Sequence, residues 1–362
     1  MAPSVSEKNS GPLKGLRLLE FASIGPAPFG VMLLADLGAE VVRIERADAP
    51  WPDVPVVSRG RASLSLDLKS KRDKAKALDI ISAADVLVEG FRPGVMERIG
   101  LGPNPALDRN SKLIYARMTG WGQAGPLAQV AGHDINFIGL SGMLALLAPE
   151  GERPVAPLNL LGDYGGGGLY LAFGILAALW ERQRSGRGQV IDTAILDGSL
   201  SLLAPIIGMV AAGLLPHNPS GGMLSGQELF YRTYACSDGR FVAVGALEPA
   251  FRRQLTDRLG LSATALDDPT KADEIEALFA TRTRDEWAAL FEGSDCCVSP
   301  VLDLDEAARH PQVAQRQALL KTEGQLQPGV APRFSRTPGS LSGEGDAVEQ
   351  LSNWGIDMEG RS

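Results

Sequence analysis

Short apolar runs alternate with helix-length segments through the first half of this chain. The runs occupy residues 16–21, 40–45, 84–89, 113–118 and 190–194. Strands separated by helix-length connections are typical of βαβ units, in which the strands lie parallel in one sheet. Ligands of such sheets bind beside the carboxyl ends of the strands. The sequence therefore predicts an α/β fold whose binding loops follow these strands, at 22–28, 90–94 and 119–122.

The pattern changes after Trp180, where a turn rich in Arg and Gly follows. A helical segment (196–215) and a linker rich in Gly and Ser come next, and Asp238-Gly239 then marks the turn of a hairpin. We predict a large α/β domain with a mainly parallel sheet and a smaller α+β domain. The predicted parts are the large domain at 1–195, a helical linker at 196–229, the small domain at 230–320, and a C-terminal segment at 321–362 that returns to the large domain.

Two further expectations concern the end of the chain. The stretch 322–338 is rich in Pro and Arg and is expected to contain few strands, and the tail after it is expected to be disordered.

Charge and cysteine content argue against several classes of protein. The chain carries 35 Lys and Arg against 43 Asp and Glu, a net charge of −8 without a basic stripe, so nucleic acid is not expected as a partner. The three cysteines have no metal-ligand spacing, which predicts no metal site and a reducing compartment. The apolar stretches 168–180 and 202–215 are too short for a membrane span. With no apolar signal segment after Met1, these features predict a cytoplasmic protein with no membrane partner.

Parallel sheets often bind dinucleotide cofactors, but the glycine pattern of this chain argues against one. The loop after the first strand has one Gly and two Pro and lacks G-x-G-x-x-G. The Gly165–Gly168 run follows Asp163-Tyr164, outside the context of that fingerprint. The sequence also has no phosphate-binding P-loop and no G-x-S-x-G nucleophile elbow. We therefore expect no nicotinamide or flavin cofactor.

Two segments thirty positions apart carry the candidate chemistry: Gly132-His133-Asp134 and Gly162-Asp163-Tyr164. His133 is one of only three histidines in the chain. An imidazole, with an unperturbed pKa near ~6.5, and a carboxylic acid whose site raises its pKa toward neutrality are suited to removing and returning protons. Placed on opposite sides of one carbon, His133 and Asp163 would invert its configuration.

Both segments also fit a purely structural role. His133-Asp134 would cap a helix over 135–147, and Asp163 would cap a helix over 170–180, because side-chain oxygens at helix starts satisfy free backbone N–H groups. Local pattern alone does not separate the cap from the catalytic pair.

Motifs along nearly the whole chain resemble the family III CoA-transferase (CaiB/BaiF-like) superfamily. The resemblance runs from Leu13 to Ser335 and is carried by 36–45, 66–69, 88–95, 116–123 and 186–198. The segment Gly132-His133-Asp134-Ile135-Asn136 is similar to that of the superfamily's α-methylacyl-CoA racemases, whereas the transferases generally lack this His. The resemblance implies a large Rossmann-like domain with a mainly parallel sheet, a smaller domain, and two chains interlocked in a homodimer. It also implies an acyl-CoA substrate and no separate cofactor, because the CoA belongs to the substrate.

The resemblance also implies roles for individual residues. His133 and Asp163 match the two catalytic bases, Glu248 matches the carboxylate that pairs with the His, and Asp134 is a second neighbour. Further positions match those expected to hold the CoA thioester: Arg46, Leu66, Lys69, Gly90, Phe91, Arg92, Arg98, Gly132, Asn136 and Phe137. The loop 47–58 fits the family pattern poorly, so the adenine end of the CoA site is less defined than the chemistry.

The expected reaction is interconversion of (R)- and (S)-2-methylacyl-CoA by proton transfer through an enolate. Backbone N–H groups at a helix start over 163–167 are expected to stabilise the enolate oxygen. One alternative is a CoA-transferase in which Asp163 is the nucleophile. Another is a protein that binds acyl-CoA without catalysis.

Overall fold

The computed structural model describes residues 10–47, 54–149, 151–216, 223–322 and 324–358. The described residues group into two compact units. The first takes in residues from Met1–Met143, Ala156–Ala204 and Leu320–Ser362, and the second from Leu144–Val155 and Pro205–Leu319. This division differs from the predicted domain boundaries at 144–155 and 196–204. Part of the predicted linker, 217–222, lies outside the described residues.

The first unit contains a six-stranded sheet in the order β3-β2-β1-β4-β5-β6. Its strands are β1 (Arg17–Phe21), β2 (Glu40–Glu45), β3 (Arg61–Ser65), β4 (Val86–Glu89), β5 (Ile114–Thr119) and β6 (Gln189–Ala194). All neighbouring strands run parallel. The predicted α/β class is therefore confirmed, and five of these strands coincide with predicted apolar runs. The order reverses between β1 and β4, which is the place where ligands bind in open parallel sheets.

Helices connect these strands. In chain order they are α1 (Pro26–Asp36), α2 (Pro55–Ser58), α3 (Lys71–Ala83), α4 (Val95–Ile99), α5 (Pro103–Arg109), α6 (Asp134–Leu140), α7 (Met143–Leu146), a π-helix (Leu160–Gly168), α8 (Leu169–Ser185), α9 (Ile195–Leu202) and α10 (Ala204–Ala211). Two predicted helices are split: 135–147 breaks after α6 near Gly142, which has a left-handed φ of 82°, and 196–215 breaks between α9 and α10 beside Pro205.

The central strands β1, β4 and β5 are buried on both faces, because side chains alternate between the two sides of the sheet and helices cover both sides. Leu18 and its equivalents in neighbouring strands pack against α1 and α8. Leu19 and its equivalents pack against α3 and α5. These continuous apolar strands are typical of parallel sheets with helices on both faces.

The second unit has an antiparallel sheet in the order β7-β8-β9. Its elements are β7 (Tyr231–Ala235), β8 (Phe241–Gly245), β9 (Val298–Pro300), α11 (Pro249–Leu259), α12 (Ala272–Phe279), α13 (Arg284–Phe291), α14 (Leu304–Arg309) and α15 (Pro311–Gln315), with 3-10 turns at Ala265–Asp267 and Pro269–Lys271. The predicted hairpin corresponds to β7 and β8. Its core centres on Tyr234, whose ring stacks on Phe279 with centroids 4.4 Å apart.

The segment after the second unit covers the β3 edge of the large sheet. It forms a short two-stranded sheet, β10 (Leu319–Thr322) and β11 (Gln325–Pro328), and then helix α16 (Ala347–Asn353), which packs against β2 and β3. The N–H of Gly345 donates to the carbonyl of Arg61 at 2.9 Å, and the Trp354 indole donates to Glu40 at 2.9 Å. Within 322–338 the described residues contain only β11 and the last residue of β10, so the expectation of few strands there is confirmed. The expectation of a disordered tail is wrong for the described residues. The tail is ordered because Leu351 and Trp354 complete the apolar core of that face.

Candidate active site

Two cavities meet where the sheet order reverses. One has a volume of about 330 Å³ and the other about 690 Å³. Both are bounded by Ile24 and Gly25, which follow β1, and by Gly90 and Phe91, which follow β4. The carboxyl ends of the two central strands thus form a wall that the small and the large cavity share.

His133 reaches the small cavity from the start of helix α6. It is the N-cap residue, with extended backbone at φ −127°, so its side chain leaves the helix axis. The Asn136 amide oxygen accepts a hydrogen bond from the His133 N–H at 3.0 Å. This contact fixes the backbone that carries the imidazole. Asn136 itself lines neither cavity, and its contact with CoA stays a prediction.

Asp163 reaches the same cavity from the first turn of the π-helix. Its carboxylate accepts a hydrogen bond from the Asn159 side chain at 3.2 Å. Asp163 therefore does not cap a helix over 170–180, as one interpretation of the sequence suggested, because the helical chain already begins at Leu160. The small cavity holds His133 and Asp163 together, along with Gly132, Phe137 and Arg92 from the predicted set.

The glycine run allows this π-helix to pack closely. A Cβ on Gly166 would come within 2.7 Å of the Ser199 backbone, and one on Gly168 within 2.7 Å of the Pro26 carbonyl. A Cβ on Gly162 would overlap the Asp134 carboxylate. The glycines therefore bring the π-helix against α1, α6 and α9 and set the position of Asp163. A π-helical turn within a longer helix is often found at functional sites.

Asp134 lies behind the small cavity and holds the π-helix. Its Oδ1 accepts the Asp163 N–H at 2.7 Å, while its buried Oδ2 has no hydrogen-bond partner among the described residues. Burial raises the pKa of the Asp134 carboxyl, and the N–H groups of Asp163 and Gly162 oppose that rise. Asp134 thus accepts hydrogen bonds from N–H groups of the π-helix, whereas the sequence suggested that it would cap the helix that became α6.

Burial also raises the pKa of the Asp163 carboxyl. The Asn159 hydrogen bond lowers this pKa, the nearby Asp134 carboxylate raises it, and His133 lowers it. The net rise favours the protonated acid, the form needed to deliver a proton to a carbanion.

The predicted donors for an enolate oxygen are not available at the start of the π-helix. The Asp163 N–H is taken by Asp134, and the Tyr164 N–H donates to the Asn159 carbonyl at 3.3 Å. The expectation of an oxyanion site there is therefore wrong for these two groups. Because a π-helix bonds each N–H to a carbonyl five residues back, the next N–H groups along it are also engaged.

The large cavity contains most of the remaining predicted residues. Arg46, Leu66, Lys69, Gly90 and Phe91 line it. Arg43, Tyr164 and the apolar Val54, Val57 and Ile99 complete much of its wall. Sequence reasoning missed Tyr164, which follows Asp163 directly but faces the other cavity. Its ring packs on Phe29 with centroids 4.8 Å apart.

Arg98 and Glu248 are the remaining members of the predicted set. Arg98, near the end of α4, lines neither cavity. Glu248 belongs to the second unit, where it is the N-cap residue of α11, so its pairing with His133 stays a prediction.

None of the described helices is long and apolar enough to cross a membrane.

Comparison with known proteins supports the family resemblance that the sequence motifs indicate. Residues 13–345 match the sequence model of CoA-transferase family III. The chain is 42% identical to alpha-methylacyl-CoA racemase of Mus musculus, covering 96% of this chain and 94% of that protein. It is 31% identical to acetyl-CoA:oxalate CoA-transferase of Acetobacter aceti, covering 99% and 97%. Among solved structures, a CAIB/BAIF family protein from Brucella suis has a TM-score of 0.79 at 25% identity, covering 95% of this chain and 98% of that one.

Proposed function

This chain belongs to CoA-transferase family III, and we propose that it is an isomerase that interconverts the epimers of 2-methylacyl-CoA thioesters. The observation that carries the proposal is that His133 and Asp163 line one cavity at the carboxyl ends of the central strands. The higher identity to a racemase than to a transferase, 42% against 31%, supports the same assignment.

The large cavity would hold the CoA portion. Arg43, Arg46 and Lys69 supply positive charge, which suits the phosphates of CoA. The apolar wall suits the pantetheine chain. Gly90 and Phe91 lead from this cavity to the small one, so a thioester extending past them reaches His133 and Asp163.

In the proposed reaction, His133 removes the C2 proton of one epimer. Electrons of the C–H bond move onto the thioester carbonyl and form an enolate. Protonated Asp163 then returns a proton to the opposite face of C2, and the roles exchange in the reverse direction. Burial supports this role of Asp163 because it raises the pKa of the carboxyl. Glu248 would orient His133 and stabilise its imidazolium form, as the buried Asp does in a Ser-His-Asp triad.

The test is to incubate the protein with one epimer of a 2-methylacyl-CoA in D2O. Deuterium at C2, together with drift toward an even mixture of epimers, is expected. A C2 centre that keeps both its hydrogen and its configuration would contradict the proposal.

A CoA-transferase remains the second candidate, because the Asp163 carboxylate also suits attack on a thioester. Ping-pong kinetics and exchange of CoA between two carboxylic acids would identify it. Since His133 would have no role in forming a mixed anhydride, exchange that survives His133→Ala would favour the transferase over the racemase.

We also propose that the protein is a cytoplasmic homodimer. Helix α8 has two apolar sides, one of which is exposed. The exposed side carries Leu169, Phe173, Leu176 and Trp180 at helical spacing. Phe173 is 69% exposed and Trp180 is 64% exposed. An exposed stripe of this size is typical of an interface. Light scattering should give twice the chain mass for the wild type, and Trp180→Glu should shift it toward the monomer. The free state of all three cysteines suits the proposed reducing compartment.

A further inference from the structure

The loop between β4 and α4 forms the wall between the two cavities. Gly90 and Phe91 border both cavities, Arg92 and Pro93 border the small one, and Val95 borders the large one. A shift of this loop would therefore move the thioester relative to His133 and change the room for CoA at the same time. The loop contains one turn, in which the Val95 N–H donates to the Arg92 carbonyl at 3.1 Å, and Gln129 donates to its Pro93 carbonyl at 3.1 Å. It is also anchored at its two ends.

Glu89 anchors the start of the loop. It is the last residue of β4, and its side chain is only 1% exposed. One carboxylate oxygen accepts the N–H of Phe91 at 2.8 Å, and the other accepts Nε of Arg117 at 2.9 Å. A buried carboxylate is costly unless such partners compensate it, so the contact to Phe91 is tied to the contact with Arg117.

Arg117 anchors the end of the loop as well. From β5, its two terminal nitrogens donate to the two carboxylate oxygens of Glu97 in α4 at 2.8 Å and 3.2 Å. One guanidinium thus joins the residue before the loop to the helix after it. The planar guanidinium of Arg can donate to both carboxylates at once, whereas the single ammonium of Lys is not suited to this.

We propose that Arg117 is a positioning residue that sets the wall between the CoA cavity and the reaction cavity. It holds Glu89 and Glu97 at a fixed separation and thereby fixes Gly90 and Phe91. This inference rests on the proposed function in its kinetic part, but the binding of CoA alone also reports on it.

The test compares Arg117→Lys with wild type in the C2 epimerisation assay and in equilibrium binding of CoA. We expect KM to rise and kcat to fall together, each by roughly 10-fold, since a misplacement of about 1 Å costs up to 10²-fold in rate. The dissociation constant of CoA should also rise by roughly 10-fold. Glu97→Gln should give a smaller change of the same kind. Adding it to Arg117→Lys should have little further effect, because both changes break one network.

Arg182→Lys is the matched control. Arg182 ties the same two strands at their opposite ends, donating to Asp85 at 3.0 Å and to the carbonyl of Lys112 at 3.0 Å, and it borders neither cavity. It should lower the melting temperature by an amount similar to Arg117→Lys while leaving KM, kcat and CoA affinity unchanged.

Several outcomes would overturn the inference. A folded Arg117→Lys variant with KM, kcat and CoA affinity within twofold of wild type is one, and equal changes in Arg182→Lys are another. If Arg117→Lys does not fold, Glu97→Gln decides, because the Glu97 side chain is 45% exposed and its loss leaves the core intact. A wild-type protein that binds CoA but does not epimerise would reject the proposed function, and the binding comparison would still decide the role of Arg117.

Discussion

The two cavities differ in how their polar groups are held. In the small cavity, His133 and Asp163 sit at the starts of helical segments, and their backbones are fixed by Asn136 and Asp134. In the large cavity, the polar groups are mainly long side chains such as Arg46 and Lys69 on loops after strands. Proton transfer needs fixed distances between reacting atoms, whereas attraction of phosphates tolerates mobile charges. Under the proposed function, the small cavity would mainly set the rate and the large cavity mainly the affinity, while the loop that borders both would affect the two together.

The largest expected effect comes from removing a base in the small cavity. His133→Ala and Asp163→Asn should each lower the epimerisation rate by about 10²–10⁴-fold, the usual contribution of a general acid or base. The dissociation constant of CoA should stay within twofold of wild type. In D2O, each variant should still exchange the C2 hydrogen of one epimer only, because one base remains on one face. Exchange of both epimers in either variant would contradict the assignment of one base to each face of C2, and a large loss of CoA affinity would break the division between the cavities.

Removing a charge from the large cavity should change affinity and not rate. Arg46→Ala or Lys69→Ala should raise KM by about 5–10-fold with kcat unchanged, since a hydrogen bond to a charged group contributes roughly 1.5–3 kcal/mol before solvent screening. Added salt should raise the KM of the wild type more than the KM of a double variant that carries both Arg46→Ala and Lys69→Ala. A loss of kcat of similar size would show that the large cavity also sets the reacting geometry.

The smallest expected effect is a change in pH dependence from Asp134→Asn. Asn keeps an oxygen to accept the Asp163 N–H but removes a charge that raises the pKa of Asp163. When His133 is the base, Asp163 must carry a proton, so the rate falls as pH rises through its pKa. A lower pKa moves that fall to lower pH, and kcat/KM on the alkaline side should drop by about 2–5-fold, as expected for losing one partly screened charge. An unchanged pH profile would show that the charge of Asp134 does not contribute to the pKa of Asp163.

The sequence predicted five of the six strands of the large sheet and missed β3. β1, β2, β4 and β5 read as apolar runs because helices cover both faces of the sheet there. β3 reads Arg-Ala-Ser-Leu-Ser, and Arg61 at its start is buried because it pairs with Glu20 of β1 at 2.5 Å and donates to the Pro28 carbonyl at 2.6 Å. That pairing joins residues 41 positions apart, so no local pattern reveals it.

The residues of the candidate site were predictable from the sequence, but their arrangement in space was not. The Gly-His-Asp and Gly-Asp-Tyr segments mark His133 and Asp163, and both reach the small cavity. The π-helix could not be read from the glycine run, since its glycines are needed for contacts with α1, α6 and α9, which are distant in sequence. The link from Asp134 to the Asp163 N–H also depends on that packing. No local sequence pattern indicates the proposed role of Arg117, because the burial of a basic side chain in this strand is explained only by its partners Glu89 and Glu97.

The division of the first unit into three stretches has a consequence for biosynthesis. The stretch that covers the β3 edge, from Leu320 onward, leaves the ribosome only after the whole second unit. At about 5–20 residues per second, a nascent chain therefore carries an uncovered sheet edge for roughly 10–30 s while the intervening residues are made. Such an edge is a template for pairing with other chains. Chaperone protection during this interval should thus raise the yield of folded protein in the cell.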